Sequence, residues 1–259
     1  MTNSDLLVID GLYKHFGGIA AVHNASMSIP EGAVIGLIGP NGAGKSSLID
    51  LVSGFTRADS GSVRFGGVEI VGKRPDAIAR MGLIRTFQSP REWGSLTVMD
   101  NVLLGGCKWE RESISQTLVA ARRLHRAENS DRDSVREILE RFGLTHVKNE
   151  PAGRLSGGQK RLLEFARIAA AAPRLVILDE PMGGVNPVLG ERIGQAIRDF
   201  AERGSTVVVV EHNLPFIEHT CGVVVVMDLG AVIAEGPFAS LRGDARVVSA
   251  YLGADDDNA

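Results

Sequence analysis

The feature that most constrains this chain is a glycine-rich segment between a predicted strand and a predicted helix. Residues 39–47 read Gly-Pro-Asn-Gly-Ala-Gly-Lys-Ser-Ser, after the apolar run 33–38 and before the apolar run 48–52. In this pattern, G-x-x-x-x-G-K-[ST], the glycines let consecutive backbone N–H groups turn inward, and the following helix adds its N-terminal dipole. In such a loop, Lys45 can reach the β- and γ-phosphates of a nucleotide, and the Ser46 hydroxyl can ligate Mg²⁺. A glycine-rich turn that binds nothing is the alternative, but the flanking strand and helix favour a phosphate-binding loop.

Composition indicates an ordinary globular chain. Its 259 residues are 44% hydrophobic and 23% charged, which suits one domain or a core with an inserted subdomain. The formal net charge of −3 argues against a generally basic nucleic-acid binder, so we expect no nucleic acid as a partner. Cys107 and Cys221 lie far apart without metal-ligand spacing, which predicts free thiols in a reducing compartment.

The sequence gives no signal for membrane insertion. Its start lacks a basic segment followed by an apolar one, and no uncharged apolar run approaches the roughly 20 residues that span a bilayer. We therefore expect a cytosolic chain that acts at a membrane only by docking onto another protein.

Apolar runs alternate with helical patterns in the second half of the chain and predict a parallel α/β sheet. The runs expected to be buried strands are 175–178, 206–210 and 223–227. Near the start, residues 6–10 and 21–29 predict short strands. Residues 60–65 and 68–70 flank a Gly-Gly turn and predict a hairpin, and therefore an antiparallel layer.

Strand signals disappear between residue 89 and about residue 152. Helices are expected there at 97–104, 114–128 and 133–142. The sequence Leu-Ser-Gly-Gly-Gln at 155–159 opens a further helix. We therefore predict a nucleotide-binding core with its antiparallel layer from residues 1–88 and 160–259, and an inserted helical subdomain over residues 89–159.

Polar residues follow the ends of the predicted strands. They are Gly39, Gln88, Asp179 with Glu180, and His212. Because ligands bind outside the carboxyl ends of strands in open parallel sheets, we expect these residues at one site. Asp179 can hold Mg²⁺ directly or through water, and Glu180 can orient or deprotonate the water that attacks the γ-phosphate. An ordinary acidic turn is the alternative, and the phosphate loop favours the catalytic interpretation.

The order of these motifs resembles that of the ATP-binding subunits of ABC transporters over nearly the whole chain. The resemblance rests on Walker A at 39–46, the Q-loop Gln88, the signature sequence at 155–159, Walker B at 175–179 followed by Glu180, and the H-loop His212. It implies the ABC ATPase fold, which is a P-loop NTPase (RecA-like) α/β fold. That fold has a parallel-sheet core, an antiparallel β subdomain and an inserted helical subdomain. The resemblance also implies that the chain binds ATP and Mg²⁺ and hydrolyses ATP.

The same resemblance implies roles for individual residues. The implied catalytic residues are Glu180, His212 and Gln88, and the implied metal ligands are Ser46, Gln88 and Asp179. The implied nucleotide contacts in the same subunit are Phe16, Asn41, Gly42, Ala43, Gly44, Lys45, Ser46 and Ser47. Phe16 would stack on the adenine, and Tyr13 is the less favoured candidate. In the family's head-to-tail dimer, the γ-phosphate would face a helix N-terminus of the second subunit, at Ser156, Gly157, Gly158 and Gln159.

Several segments are similar to ATPases of branched-chain amino acid importers, a subfamily that includes ATPases for urea and short amides. These segments are residues 16–22, 39–44, 180–187, 210–213 and 250–253. One departure concerns the D-loop, where many relatives read Ser-Ala-Leu-Asp and Asn186 stands in place of the aspartate. The implied partners are integral membrane permease subunits, a second ATPase subunit that is a copy or a related chain, and indirectly a solute-binding protein. The implied location is the cytoplasmic face of the membrane, as a peripheral subunit.

Two other functions remain open at this point. The first is a soluble ABC-type ATPase of DNA repair or translation. Such proteins usually carry long coiled-coil insertions or paired cassettes, and this sequence shows neither heptads nor duplication. The second is an ATPase for the export of a lipid or lipopolysaccharide, which shares much of this layout.

Overall fold

Packing divides the chain into two units. The computed structural model describes residues 5–86, 92–106 and 132–252. One unit is formed by residues 1–88 with 174–259, and the other by residues 89–173. The continuous helix Gly157–Ala171 belongs entirely to the second unit. The division predicted from the sequence, after residues 88 and 159, stays a prediction.

Strands dominate the first unit, and helices the second. In chain order, the strands of the described residues are β1 (Asp5–Phe16), β2 (Ile19–Pro30), β3 (Val34–Ile38), β4 (Ser60–Phe65), β5 (Val68–Glu69), β6 (Leu83–Arg85), β7 (Leu175–Asp179), β8 (Thr206–Val210), β9 (Val223–Asp228) and β10 (Ala231–Gly236). The helices of the described residues are α1 (Lys45–Val52), α2 (Pro75–Arg80), α3 (Val98–Gly106), α4 (132–141), α5 (Gly157–Ala171), α6 (Pro187–Glu202), α7 (Leu214–Thr220), α8 (Phe238–Leu241) and α9 (Ala245–Leu252).

A mostly parallel sheet forms the centre of the first unit, in the order β10-β9-β3-β8-β7-β6. All neighbouring strands in it run parallel except β10, which is antiparallel to β9. Every residue of β7 and β8 is buried, as expected for valine- and isoleucine-rich strands covered on both faces. The carboxyl ends of β3, β7 and β8 therefore meet at one edge of the sheet.

An antiparallel sheet in the order β2-β1-β4-β5 completes the strands of this unit. The expected hairpin is present as β4 and β5. The strands β1 and β2 are longer than predicted, since they pair from Asp5 and Pro30 up to Phe16 and Ile19 through several irregularities of register. Buried side chains of both sheets and of α1 belong to one apolar cluster, including Leu7, Leu48 and Ile177.

The second unit is built around the packing of α3 against α5. Glycine is required at the contact, because a Cβ on Gly105 would lie 2.8 Å from the backbone oxygen of Arg167. The helices α3 and α4 match the predictions at 97–104 and 133–142, whereas the predicted helix 114–128 lies outside the described residues. Within the described ranges of both units, no helix combines the length and the apolar character needed to cross a membrane.

Candidate nucleotide-binding site

The glycine-rich loop connects β3 to α1 and lies close to neighbouring backbone. Gly44 precedes α1 with a φ of +94°, and a Cβ there would lie 2.3 Å from the carbonyl oxygen of Ala21. A Cβ on Gly39 would lie 2.2 Å from the carbonyl oxygen of Met227. The first turn of α1 carries neither a side-chain cap nor an acidic residue. Its N–H groups and positive dipole end are therefore suited to an anion.

The Lys45 side chain folds back over this loop. Its Nζ donates hydrogen bonds to the carbonyl oxygens of Gly39, at 2.8 Å, and Pro40, at 2.9 Å. Burial lowers the pKa of the Lys45 ammonium, while the negative charges of Glu180 and Asp179 oppose that shift. The structure therefore brings the loop lysine close to the two acidic residues at the end of β7.

Asp179 is the last residue of β7 and is only 3% exposed. Its Oδ2 accepts a hydrogen bond of 3.1 Å from Arg85 Nη2, and its N–H donates to Thr86 Oγ1 at 3.0 Å. Arg85 also pairs with Asp50 of α1. Arg85 therefore links the helix after the phosphate loop to the predicted metal ligand, a role that the sequence analysis missed. The available signal was a charged residue within the strand that leads to Gln88.

The described residues offer hard oxygen donors of the kind that Mg²⁺ prefers. These donors are the hydroxyl of the exposed Ser46 and the carboxylate of Asp179, whose Oδ2 accepts from Arg85. Among the described residues, no group of three or more His, Cys, Asp and Glu side chains forms a cage for a metal. Two protein ligands suit Mg²⁺ because it usually keeps several waters and binds substrate phosphates. The third predicted ligand, Gln88, lies outside the described residues.

Glu180 has an unusual backbone conformation for a residue with a side chain. Its φ is +47°, in the left-handed region. Its N–H donates to the carbonyl oxygen of Val210 at 2.9 Å, and its own carbonyl oxygen accepts from the Gly183 N–H at 3.1 Å. Such a conformation costs on the order of 1–3 kcal/mol and is typical of functional positions. These hydrogen bonds hold the backbone of the predicted catalytic residue in this conformation.

His212 follows β8 and is exposed, with 70% of its side chain accessible. In the sheet, Asp179 is paired with Val210, so the residues after β7 and β8 emerge side by side. Glu211, between Val210 and His212, is only 1% exposed, and the sequence analysis assigned it no role. The structure thus brings Lys45, Glu180 and His212 to one edge of the first unit.

Phe16 lies at the end of β1 and is 52% exposed. Lys14 Nζ is 5.4 Å from the centre of its ring. Tyr13, the less favoured candidate, packs edge-on against the His23 ring at 5.2 Å. An exposed ring is available for stacking, so Phe16 stays the predicted adenine contact.

The signature sequence forms the N-terminus of α5 in the second unit. The Ser156 Oγ accepts from the Gln159 N–H at 3.3 Å, and the Ser156 N–H donates to Gln159 Oε1 at 3.0 Å. This arrangement is a capping box. Helix stability is therefore sufficient to explain why serine and glutamine stand at positions 156 and 159. Gly157 is exposed and Gly158 partly exposed, so the end of the helix remains open to solvent.

Two protein-family models match the chain. The model described as "ABC transporter" matches residues 22–183. The model described as "Branched-chain amino acid ATP-binding cassette transporter" matches residues 231–257. The two matches together span the phosphate loop, the acidic residues Asp179 and Glu180 and the C-terminal part of the chain.

Known proteins resemble the chain over almost its whole length. A probable branched-chain amino acid transport ATP-binding protein, LivG, of Archaeoglobus fulgidus is 38% identical and covers 97% of this chain and 96% of its own. The high-affinity branched-chain amino acid transport ATP-binding protein BraF of Pseudomonas aeruginosa is 33% identical, over 96% of this chain and 98% of its own. A crystal structure of the ADP conformation of an ATP-binding cassette of an ABC transporter is 31% identical. It superposes with a TM-score of 0.80 over 96% of this chain and 99% of its own.

The backbone of Glu180 generates a stability prediction. Because Glu180 is in the left-handed region, we expect Glu180→Gly to be more stable than Glu180→Ala by about 1 kcal/mol. The exposed helical residue Glu191 provides the matched control, since there the alanine variant should be more stable than the glycine variant by about 1 kcal/mol. Urea unfolding followed by circular dichroism measures both differences. If the alanine variant were more stable than the glycine variant at both positions, the claim that the Glu180 backbone is strained would be contradicted.

Proposed function

The chain belongs to the ABC transporter ATP-binding family, and on that premise we propose that it is the ATP-hydrolysing subunit of an importer of branched-chain amino acids. The observation that carries the proposal is the register of β3, β8 and β7, in which Leu37, Val210 and Asp179 lie side by side. The phosphate loop with Lys45 and the acidic pair Asp179 and Glu180 therefore emerge at one edge of the sheet. The substrate class is supported by the C-terminal family match and by the relatives' names.

In the proposed mechanism, the loop and the N-terminus of α1 hold the triphosphate, and the Lys45 ammonium neutralises its β- and γ-phosphates. Ser46 and Asp179, with Gln88, would hold Mg²⁺, which would supply further charge neutralisation of the triphosphate. Glu180 accepts a proton from the attacking water as the oxygen of that water bonds to the γ-phosphorus. The bond from that phosphorus to the bridging oxygen breaks, which leaves ADP and phosphate. His212 contacts the γ-phosphate.

ATP binding drives closure of a head-to-tail dimer, in which α5 of the second subunit completes the site. Gly157 and Gly158 lie in the first turn of α5, where N–H groups have no partner within the helix and the positive end of the dipole suits a γ-phosphate. The Ser156 hydroxyl accepts a bond within its capping box and keeps its own proton for donation to that phosphate. The dimer contains either two copies of this chain or one copy and a related ATPase.

The chain works from the cytoplasmic face of the membrane as a peripheral subunit. Integral membrane permease subunits provide the path for the amino acid, and a solute-binding protein delivers it. Dimer closure around ATP is transmitted to the permease subunits through the helical second unit. Hydrolysis at Glu180 then reopens the dimer and resets the transporter.

A trapped dimer tests the proposed site. Glu180→Gln removes the proton acceptor and keeps the side-chain volume, so we expect ATP binding with a loss of turnover of about a hundredfold or more. With ATP the variant should elute as a dimer in size exclusion, and with ADP as a monomer. Adding Ser156→Arg places a long cation at the helix end that meets the phosphate and should abolish the dimer while keeping ATP binding. Wild-type hydrolysis by Glu180→Gln would remove Glu180 from its assigned role.

Uptake by intact cells tests the substrate class. Deletion of the chromosomal copy should abolish high-affinity uptake of radiolabelled leucine, isoleucine and valine, because the permease cannot cycle without ATP hydrolysis. Wild-type protein should restore uptake, and Glu180→Gln at equal abundance should not. Normal leucine uptake in the deletion strain, together with lost uptake of urea or a short amide, would contradict the substrate class while leaving the ATPase assignment intact. Lost export of a lipid or lipopolysaccharide would contradict the import direction.

A further inference from the structure

Glu211 is a buried carboxylate that the proposed mechanism does not use. It follows the last residue of β8 and is 1% exposed. Its Oε1 accepts a hydrogen bond of 2.7 Å from the Met182 N–H. Its Oε2 accepts from the N–H groups of His212, at 3.1 Å, and Asn213, at 3.3 Å.

Among the described residues, the donors that hydrogen-bond to the Glu211 carboxylate are backbone N–H groups. The nearest cationic side chain is His212 itself, whose Nδ1 lies 3.8 Å from Oε2 and which is charged only when protonated. A buried carboxylate is strongly unfavourable unless hydrogen bonds replace its water. Three N–H donors to one carboxylate form strong, charge-assisted bonds, so the side chain is held in one position.

The two oxygens of this carboxylate bind two different loops. Oε1 holds the turn after β7 at Met182, two residues beyond Glu180, and Oε2 holds the backbone of His212. A third bond acts at the same place, because the Glu180 N–H donates to the carbonyl oxygen of Val210. Glu180 and His212 are therefore both positioned relative to the end of β8.

The far end of the turn is fixed independently of Glu211. Asn186 caps α6 by accepting from the Leu189 N–H at 2.9 Å. Between the two anchors, the Val185 N–H donates to the Met182 carbonyl oxygen at 3.1 Å. After the bond from the Glu180 N–H to Val210, the bond from Met182 to Glu211 is thus the next anchor of this turn along the chain.

We infer that Glu211 is a positioning residue for ATP hydrolysis, because its carboxylate holds the backbone of the Glu180 turn and the backbone of His212 in one relative geometry. The inference rests on the proposed function and deepens it. Among the described residues, the hydrogen bonds of the Glu211 carboxylate go to the backbone of Met182, His212 and Asn213, so we expect Glu211 to govern the rate of the bound complex and not the affinity for ATP. A misplacement of about 1 Å in a catalytic group can reduce a rate about a hundredfold.

Glu211→Gln tests this role with little change of shape. The amide keeps one acceptor oxygen and turns its NH₂ toward the remaining N–H donors, so either Met182 or the His212 and Asn213 pair loses its acceptor. We expect kcat to fall about tenfold or more, with KM and the Kd for ATP within about twofold of wild type. Hydrogen exchange should speed up at the amides of Met182, His212 and Asn213.

Thr206→Val is the matched control at the opposite end of β8. Thr206 is fully buried, and its Oγ1 accepts from the Gly32 N–H at 2.8 Å, so this variant also loses a hydrogen bond of a buried side chain. It should lower the melting temperature without changing kcat per folded molecule. Glu211→Asp keeps the charge but shortens the reach, and should lower kcat at unchanged KM even where Glu211→Gln folds poorly.

The outcomes separate this inference from the proposed function. Wild-type protein that hydrolyses ATP, beside Glu211→Gln and Glu211→Asp variants with wild-type kcat, would overturn the role of Glu211 alone. A fall in kcat that matches the fall in folded protein, as measured by active-site titration, would also overturn it. Wild-type protein without ATP hydrolysis would instead count against the proposed function.

Discussion

The lateral register of three parallel strands is the constraint on which the candidate site depends. Val210 of β8 pairs with Leu37 of β3 on one side and with Asp179 of β7 on the other. A slip of one residue in either ladder would move a loop by about 3.3 Å and turn its side chains to the opposite face. The bond from the Glu180 N–H to Val210 would then be lost. The buried apolar side chains of β7 and β8 fix this register and, through it, the positions of the polar residues that follow the strands.

The charged groups at this edge are fixed in different ways, and the differences match their proposed roles. Asp179 is buried and paired with Arg85, which suits a ligand that must stay in place. Glu180, the next residue, is only partly buried and takes its position from a left-handed backbone. Lys45 is held by loop carbonyl oxygens and can exchange them for phosphate oxygens. Two adjacent carboxylates thus have different environments, as expected for a metal ligand beside a proton acceptor.

The sequence was sufficient for those features in which a local pattern determines the structure. The phosphate loop, the buried strands and the polar residues at their ends follow from apolar runs and glycine spacing, and the family prediction and fold class are confirmed. The sequence also indicates where the signature helix begins and ends, but the unit to which the helix belongs is set by its packing against α3, which no local signal shows. The roles of Arg85 and Glu211 were missed for a different reason. Each depends on partners far along the chain, and a lone charged residue beside a strand is usually solvated. The left-handed conformation of Glu180 is likewise set by tertiary hydrogen bonds that no propensity reveals.

The central claim of this account is that the loop between β3 and α1 binds the phosphates of ATP. Isothermal titration calorimetry of the folded protein with ATP and Mg²⁺ tests it most directly. Calorimetry would miss binding at a temperature where the binding enthalpy is zero. Because this enthalpy changes with temperature, the titration is made at two temperatures. We expect saturable binding of one nucleotide per chain, much weakened by Lys45→Ala, which removes the ammonium that meets the phosphates. Folded wild-type protein without saturable binding at either temperature would contradict the account.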